Sequence, residues 1–189
     1  SFPHGEKIHE IACPDRLTAM AVSRDGRFIA CGTEDEDSPS PTNAIRVFRI
    51  ADGQQVHKFD SHENRIVGLA FGPQDEWLIS TSLHRSARTW NVTGGPSCAT
   101  VQKFGEDFNC DFVNALSDGR VLLLFRDGVE VRDGLRHRLL KISTRISPWC
   151  RVAVSPDERH LFLTSEYHVE QWSLENGSLA RTFRPDSDH

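Results

Sequence analysis

His57, Asp60 and His62 lie close together in the sequence and are residue types that bind divalent metals, two imidazoles and a carboxylate. A zinc site needs further nitrogen, sulfur or oxygen ligands at a matching spacing. His84 is the nearest later candidate and no cysteine falls in step, so no metal is expected. The five cysteines, Cys13, Cys31, Cys98, Cys110 and Cys150, are odd in number and contain no CxxC pair. That pattern suits the reduced thiols of an intracellular, cytoplasmic protein better than a disulfide framework or a zinc knuckle. No serine sits in a nucleophile elbow, no glycine-rich loop is built to hold phosphate and no carboxylates are paired for acid–base work; Gly94-Gly95-Pro96 reads as a turn. The residues point to a protein that is not an enzyme and carries no cofactor.

Charged segments suggest binding instead. Glu34, Asp35, Glu36 and Asp37 form an acidic run followed by Ser38-Pro39 and Ser40-Pro41. Such a run can recruit a basic partner or gain charge by proline-directed phosphorylation, and it equally suits a solvated insertion. Arg132, Arg136, His137, Arg138 and Lys141 make a basic stretch that could meet phosphates or acidic tails, or simply solvate an exposed edge strand. No aromatic residue interrupts it for base stacking, and the formal net charge of -5 makes nucleic acid an unfavoured partner. The longest apolar run, Val121 to Phe125, falls far short of the roughly 20 residues of a membrane helix, so no membrane association is expected. Ser1 to Glu10 shows no basic segment followed by an apolar stretch, hence no visible secretion signal. The sequons at Asn91-Val92-Thr93 and Asn176-Gly177-Ser178 point the other way but carry little weight, since chance supplies about one among six asparagines.

The elements that position these residues emerge from a repeat. Ala21-Val22-Ser23-Arg24-Asp25-Gly26-Arg27, Ala70-Phe71-Gly72-Pro73-Gln74-Asp75-Glu76, Ala115-Leu116-Ser117-Asp118-Gly119-Arg120 and Ala153-Val154-Ser155-Pro156-Asp157-Glu158-Arg159 are one unit written four times, an apolar strand end followed by a tight polar turn. A second landmark follows each turn, centred on Phe48, Trp90, Arg132 and Trp172, with intervals of 42, 42 and 40 residues. A third, Gly53 to Phe59, recurs at Gly177 to Phe183 and at Gly5 to Ile11. Between landmarks lie short stretches rich in Val, Ile, Leu, Phe and Thr, too brief for amphipathic helices, so each period holds about four strands. Units of about 40 to 45 residues with four strands each predict an all-β protein of propeller blades. The expected boundaries are an outer strand at 5–11 and blades at 17–59, 66–104, 109–142 and 149–183. Cys110 and Cys150, at near-equivalent places beginning the first strand of units three and four, are expected to fill the core.

These landmarks resemble the WD-repeat β-propeller family, whose pattern runs from Gly-His through a Ser-Pro-Asp-Gly turn to a terminal Trp-Asp. Unit two matches best, with His62 near the Gly-His position, Phe71-Gly72-Pro73 before the turn, Ser80-Thr81-Ser82 on the second strand and Arg88-Thr89-Trp90-Asn91 at the end. Unit four keeps Ser155-Pro156-Asp157 and Trp172. Ser61 replaces the glycine before His62, and Phe48 and Arg132 replace the tryptophan of units one and three. The family's tetrad joins His, Ser or Thr, Trp and an Asp six residues before the Trp, where this chain has His84. The resemblance therefore implies a partial tetrad of His62, Ser80 or Ser82, and Trp90, with Trp172 as a further structural residue.

A closed ring of the family usually has about seven blades, or roughly 280 to 320 residues at this period. Four units and one leading outer strand amount to about half a ring, so the chain is expected to be cut from a longer polypeptide, or to complete its ring with a second copy or a complementary half. The implied function is a non-enzymatic scaffold that presents partners on its rims. The candidate protein-binding rim is Glu34, Asp35, Glu36, Asp37, His62, His84 and Arg85, and the expected partners are other proteins or the remaining blades in cis or in trans. A propeller enzyme with a site in its central channel is the competing class, but corresponding positions of successive units bring no acidic or histidine set together. A third reading is a structural repeat region of a large multidomain or cytoskeletal protein.

Overall fold

The unbroken apolar run Val121-Leu122-Leu123-Leu124 suits a strand covered on both faces, because successive side chains of a strand point to opposite sides. The structure is a computed structural model that describes residues 7, 10–34, 43–94, 100–104, 110, 112–144, 146, 150–165 and 167–184. Among them there are sixteen strands and no helix, arranged as four separate four-stranded antiparallel sheets. Blade one comprises β1 (Arg16–Val22), β2 (Phe28–Glu34), β3 (Asn43–Arg49) and β4 (Gln55–His62). Blade two comprises β5 (Ile66–Phe71), β6 (Trp77–Ser82), β7 (Ser86–Asn91) and β8 (Thr100–Lys103). Blade three comprises β9 (Val113–Ala115), β10 (Arg120–Phe125), β11 (Gly128–Asp133) and β12 (His137–Ser143). Blade four comprises β13 (Val152–Val154), β14 (His160–Thr164), β15 (Val169–Ser173) and β16 (Leu179–Phe183). In each blade consecutive strands pair in order, as the sequence predicts for a partial WD-repeat propeller. Of the outer strand expected at 5–11, all but Lys7, Glu10 and Ile11 lies outside the described residues.

Three apolar cores lie between blades, one at each seam. Ala30, Ile45, Val47 and Phe59 of blade one meet Ile66, Leu69, Phe71, Leu78 and Trp90 of blade two. Ile79 and Ala87, from the other face of blade two, meet Val113, Ala115, Leu123 and Phe125 of blade three. Leu122, Leu124, Val129 and Val131, from the other face of blade three, meet Leu161, Leu163 and Leu174 of blade four. Neighbours in sequence thus serve opposite seams: Leu78 packs towards blade one and Ile79 towards blade three, and each is fully buried. Cys110 is buried in the core between blades two and three, and Cys150 packs at the edge of the core between blades three and four.

The first strands β1, β5, β9 and β13 converge on a central cavity of about 390 Å³, with Met20, Leu69, Phe71, Val113, Val152 and Val154 in its wall. The turn after each of these strands is built alike. The N–H of Gly26, Asp75, Gly119 and Glu158 donates to the carbonyl three residues earlier, at 2.9 to 3.0 Å. All four residues have left-handed backbone, with φ of 71°, 59°, 88° and 55°. Glycine adopts this region freely, and an aspartate or glutamate does so at some strain.

Blades two and four nevertheless carry an acid there, and each acid reaches the preceding blade. The Asp75 carboxylate accepts the N–H groups of Arg24 at 2.8 Å and Asp25 at 3.0 Å. The Glu158 carboxylate accepts the Ser117 N–H at 2.8 Å and its hydroxyl at 2.6 Å, and Arg24 Nη2 of blade one at 3.1 Å. These acid clasps tie blade one to blade two and blade three to blade four. The end of the blades bearing these turns is the turn face, and the opposite end is the loop face.

Candidate functional site

A buried polar cluster lies where the last strand of blade one meets blade two. β4 ends at His62, β6 carries Ser80 and β7 carries Ser86 and Trp90, and all four residues are buried, none being more than 5% exposed. Trp90 Nε1–H donates to Ser80 Oγ at 2.9 Å. An indole N–H can only donate, so Ser80 directs its own hydroxyl proton to His62 Nε2, 2.6 Å away. His62 then carries its proton on Nδ1, where Ser86 Oγ lies 3.4 Å away. Phe59 stacks on the Trp90 ring at 5.1 Å and the His62 ring meets its edge at 6.1 Å, closing the cluster with apolar surface. Burial, aided by the positive charge of Arg88, pulls the His62 pKa from 6.5 down to about 4, so the ring is neutral at pH 7.

His62, Ser80 and Trp90 are thus joined through the Ser80 hydroxyl, and Ser86 lies beside the other ring nitrogen of His62. Ser82 takes a different part: its hydroxyl donates to the Asn64 carbonyl at 2.8 Å, fixing the entry to β5. His84 points outward and pairs with Glu63 at 2.9 Å. Nothing in the motif marks Ser86. The signal available was its place as the first residue of β7, where it directly faces Ser82 of β6.

Blades three and four solve the same problem with different residues. Leu123 and Leu163 stand at the register of Ser80, so no hydroxyl is offered there. The acceptor comes instead from two residues back on the third strand, on the same face. Glu170 Oε2 accepts Trp172 Nε1–H at 2.9 Å and the Thr144 hydroxyl at 3.3 Å, while Oε1 lies 3.2 Å from His168 Nε2. Glu130 pairs with Arg132 at 3.1 Å, and the Arg132 guanidinium lies over the Phe104 ring at 5.1 Å. A flat cation thus fills the place of an indole.

The remaining candidates separate. His57 Nε2 lies 2.9 Å from the Val92 carbonyl oxygen and its ring stacks on Phe59, Asp60 pairs with Lys58 at 2.9 Å, and His62 is engaged as above. The three do not converge on a common point. Among the described residues no group of three or more His, Cys, Asp or Glu side chains is placed to hold a metal ion. Of the basic stretch, Arg138 pairs with Glu130 at 3.2 Å and Lys141 with Asp127. Acids of blade three thus neutralise part of it from within.

On the loop face, Glu34 pairs across to Asn43, and Asn43 to His62, placing all three at one end of blade one. Asp35, Glu36 and Asp37 lie outside the described residues. His62, expected as both structural and rim residue, lies under the rim with its ring buried. His84 and Arg85 line a pocket of about 390 Å³ together with Leu83, Lys103 and Phe104. Arg85 has left-handed backbone with φ of 56°, and its N–H bonds the Ser82 carbonyl while its carbonyl accepts the Phe104 N–H, both at 3.0 Å. The turn that presents its side chain is thereby fixed at both ends.

Residues 53–91, which run from the last turn of blade one to the end of β7, match the family described as WD domain, G-beta repeat. The chain is similar to human WD repeat-containing protein 36, 28% identical over 95 residues, which are 50% of this chain and 10% of that protein. It is similar to the periodic tryptophan protein 2 homolog of Neurospora crassa, 32% identical over 81 residues, 42% of this chain and 8% of that protein. U3 small nucleolar RNA-associated protein 21 of Saccharomyces cerevisiae is 31% identical over 80 residues, 42% of this chain and 8% of its own length. The chain thus spans a small part of the relatives it matches.

Proposed function

The chain is of the WD-repeat family, and from that premise we propose that it is a non-enzymatic docking platform, one section of a propeller that assembles other proteins in a larger protein or complex. The observation that carries this reading is the division of labour among its polar residues. His62 and Ser80, Ser117 and Glu158, and Trp172 and Glu170 are bonded to one another, so these polar groups serve the fold of blades two to four. Two cations of the loop face, Arg85 and Lys103, are exposed beside Leu83 and Phe104 without an ion-pair partner among the described residues.

A rigid blade presents such groups without a large ordering cost, so a few anchors can supply the binding energy. The relative named for association with U3 small nucleolar RNA supports a setting in large assemblies. Four free cysteines, Cys13, Cys31, Cys110 and Cys150, support an intracellular one, and the cytoplasm is our proposal.

The test is crosslinking in the full-length protein. A photoreactive residue at Arg85 is expected to capture a specific partner, and the same residue at Asp52, on the opposite end of blade one, is expected not to. Equal capture at both positions, or loss of a measurable reaction on mutating the loop face, would refute the reading.

A further inference from the structure

Clasps cross two of the three seams on the turn face, and the sequence shows why the third has none. In blades one and three the second turn residue, Arg24 or Ser117, offers an N–H, and the fourth is glycine. In blades two and four the second residue is proline, Pro73 or Pro156, and the fourth is the acid. Between blades two and three, therefore, Pro73 has no N–H to give and Gly119 has no carboxylate to receive one. At this unclasped seam lies a cleft of about 510 Å³, larger than the central cavity.

Its lining is chemically one-sided. Trp77 forms part of the wall, half-buried, and its indole lies flat on Gly72: a β-carbon built on that glycine would come within 2.3 Å of the ring. The ring is thereby held in place. Glu76 and Asp133 are exposed and have no side-chain partner among the described residues, while Asp118 pairs with Arg120 at 2.6 Å. Burial pushes the Asp118 carboxyl up, but the hydrogen bonds and charge of Arg120 together outweigh it and hold the group below the usual carboxylate range. Arg136 is the one cation among the described residues of the lining.

We propose that this cleft is a docking site for a lysine or arginine side chain carried on an extended segment of a partner protein. An indole face in a cleft that also holds the unpaired carboxylates of Glu76 and Asp133 matches the two needs of such a side chain, an apolar and π surface for its stem and head plus counter-charge for its head. The site lies on the face opposite Arg85, so it stands or falls independently of the loop-face reading.

The experiment titrates the protein with three capped octapeptides that differ only at the central residue, lysine, arginine or norleucine, and follows the Trp77 indole N–H by NMR. The lysine and arginine peptides are expected to shift that resonance and to bind at least about tenfold more tightly than the norleucine peptide, with affinity falling as salt rises. Glu76→Lys with Asp133→Lys should abolish the shift, and the gentler Glu76→Gln with Asp133→Asn should weaken binding with an unchanged amide spectrum. Equal binding of the norleucine peptide, unaltered binding by either charge variant, or shifts centred on Arg85 instead of Trp77 would each overturn the proposal, as would no binding by any of the peptides.

Discussion

Replacing Ser80 with alanine should damage this protein more than the loss of one oxygen atom suggests. Ser80 Oγ serves two groups at once, accepting from Trp90 Nε1 at 2.9 Å and donating to His62 Nε2 at 2.6 Å. Ser80 and Trp90 are 0% and 1% exposed and His62 is 5% exposed, so water cannot replace the hydroxyl without opening the blade. The Ser80→Ala variant leaves a buried donor and a buried acceptor unpaired, at about 1 to 3 kcal/mol each. Allowing for partial relaxation, the expected destabilisation is about 3 kcal/mol, a large fraction of the stability of an ordinary domain.

Urea unfolding at pH 7.5, followed by circular dichroism, measures it. A cycle with Trp90→Phe isolates the shared hydrogen bond: once the indole N–H is gone, removing Ser80 strands only the histidine. The double variant should be less destabilised than the sum of the singles by about 1 kcal/mol. A Ser80→Ala cost under about 0.5 kcal/mol, or strict additivity in the cycle, would refute the claim that this hydroxyl is the hub of the blade.

Acid should weaken the fold in a defined window. The folded pKa of His62, about 4, lies below its unfolded 6.5, so the unfolded chain takes up the proton first. The contribution of His62 is then complete above pH 6.5, declines as pH falls through that value and is lost by about pH 4, a total of about 3 kcal/mol; a His62→Gln variant should show a flatter urea midpoint between pH 7 and 4.5. Removing a clasp should cost stability even where it relieves strain: Asp75→Gly frees a left-handed residue but strands the N–H groups of Arg24 and Asp25, for a net loss of about 1 to 2 kcal/mol by the same urea assay. Glu170→Gln keeps an acceptor for Trp172 but removes the charge facing His168, so it should cost less than Glu170→Leu, which strands the indole N–H; thermal unfolding of the pair gives the order.

The repeat was legible because each blade must satisfy the same geometry four times. A left-handed turn residue recurs after every first strand and an aromatic or flat residue recurs on every third strand, so two spacings survive even where the letters drift. The strand content followed from runs such as Val121 to Leu124, whose lack of alternation reflects burial against two neighbours. The tetrad was legible only where the family letters persisted. Ser86 escaped notice because serine at a strand start is ordinary, and its role arises from the distance to His62 Nδ1 across two strands. Glu130 and Glu170 escaped for a related reason: they support the third-strand residue from its own strand, whereas the motif places that support on the neighbouring one. The acids at 75 and 158 read as departures from glycine, and their purpose depends on the backbone of another blade, which no local pattern contains.

The turn chemistry also has a parity. Donor and glycine alternate with proline and acid from blade to blade, so the smallest unit that repeats without mismatch is two blades, 84 residues from Phe48 to Arg132. Excising blade two would set Arg24 and Asp25 against Gly119, two donors facing no carboxylate. Excising blade three would set Pro73 against Glu158, a carboxylate facing a ring nitrogen. Only a two-blade step leaves every turn with the neighbour it has now, which makes the pair, and not the single blade, the natural increment by which this propeller can be lengthened, shortened or recombined.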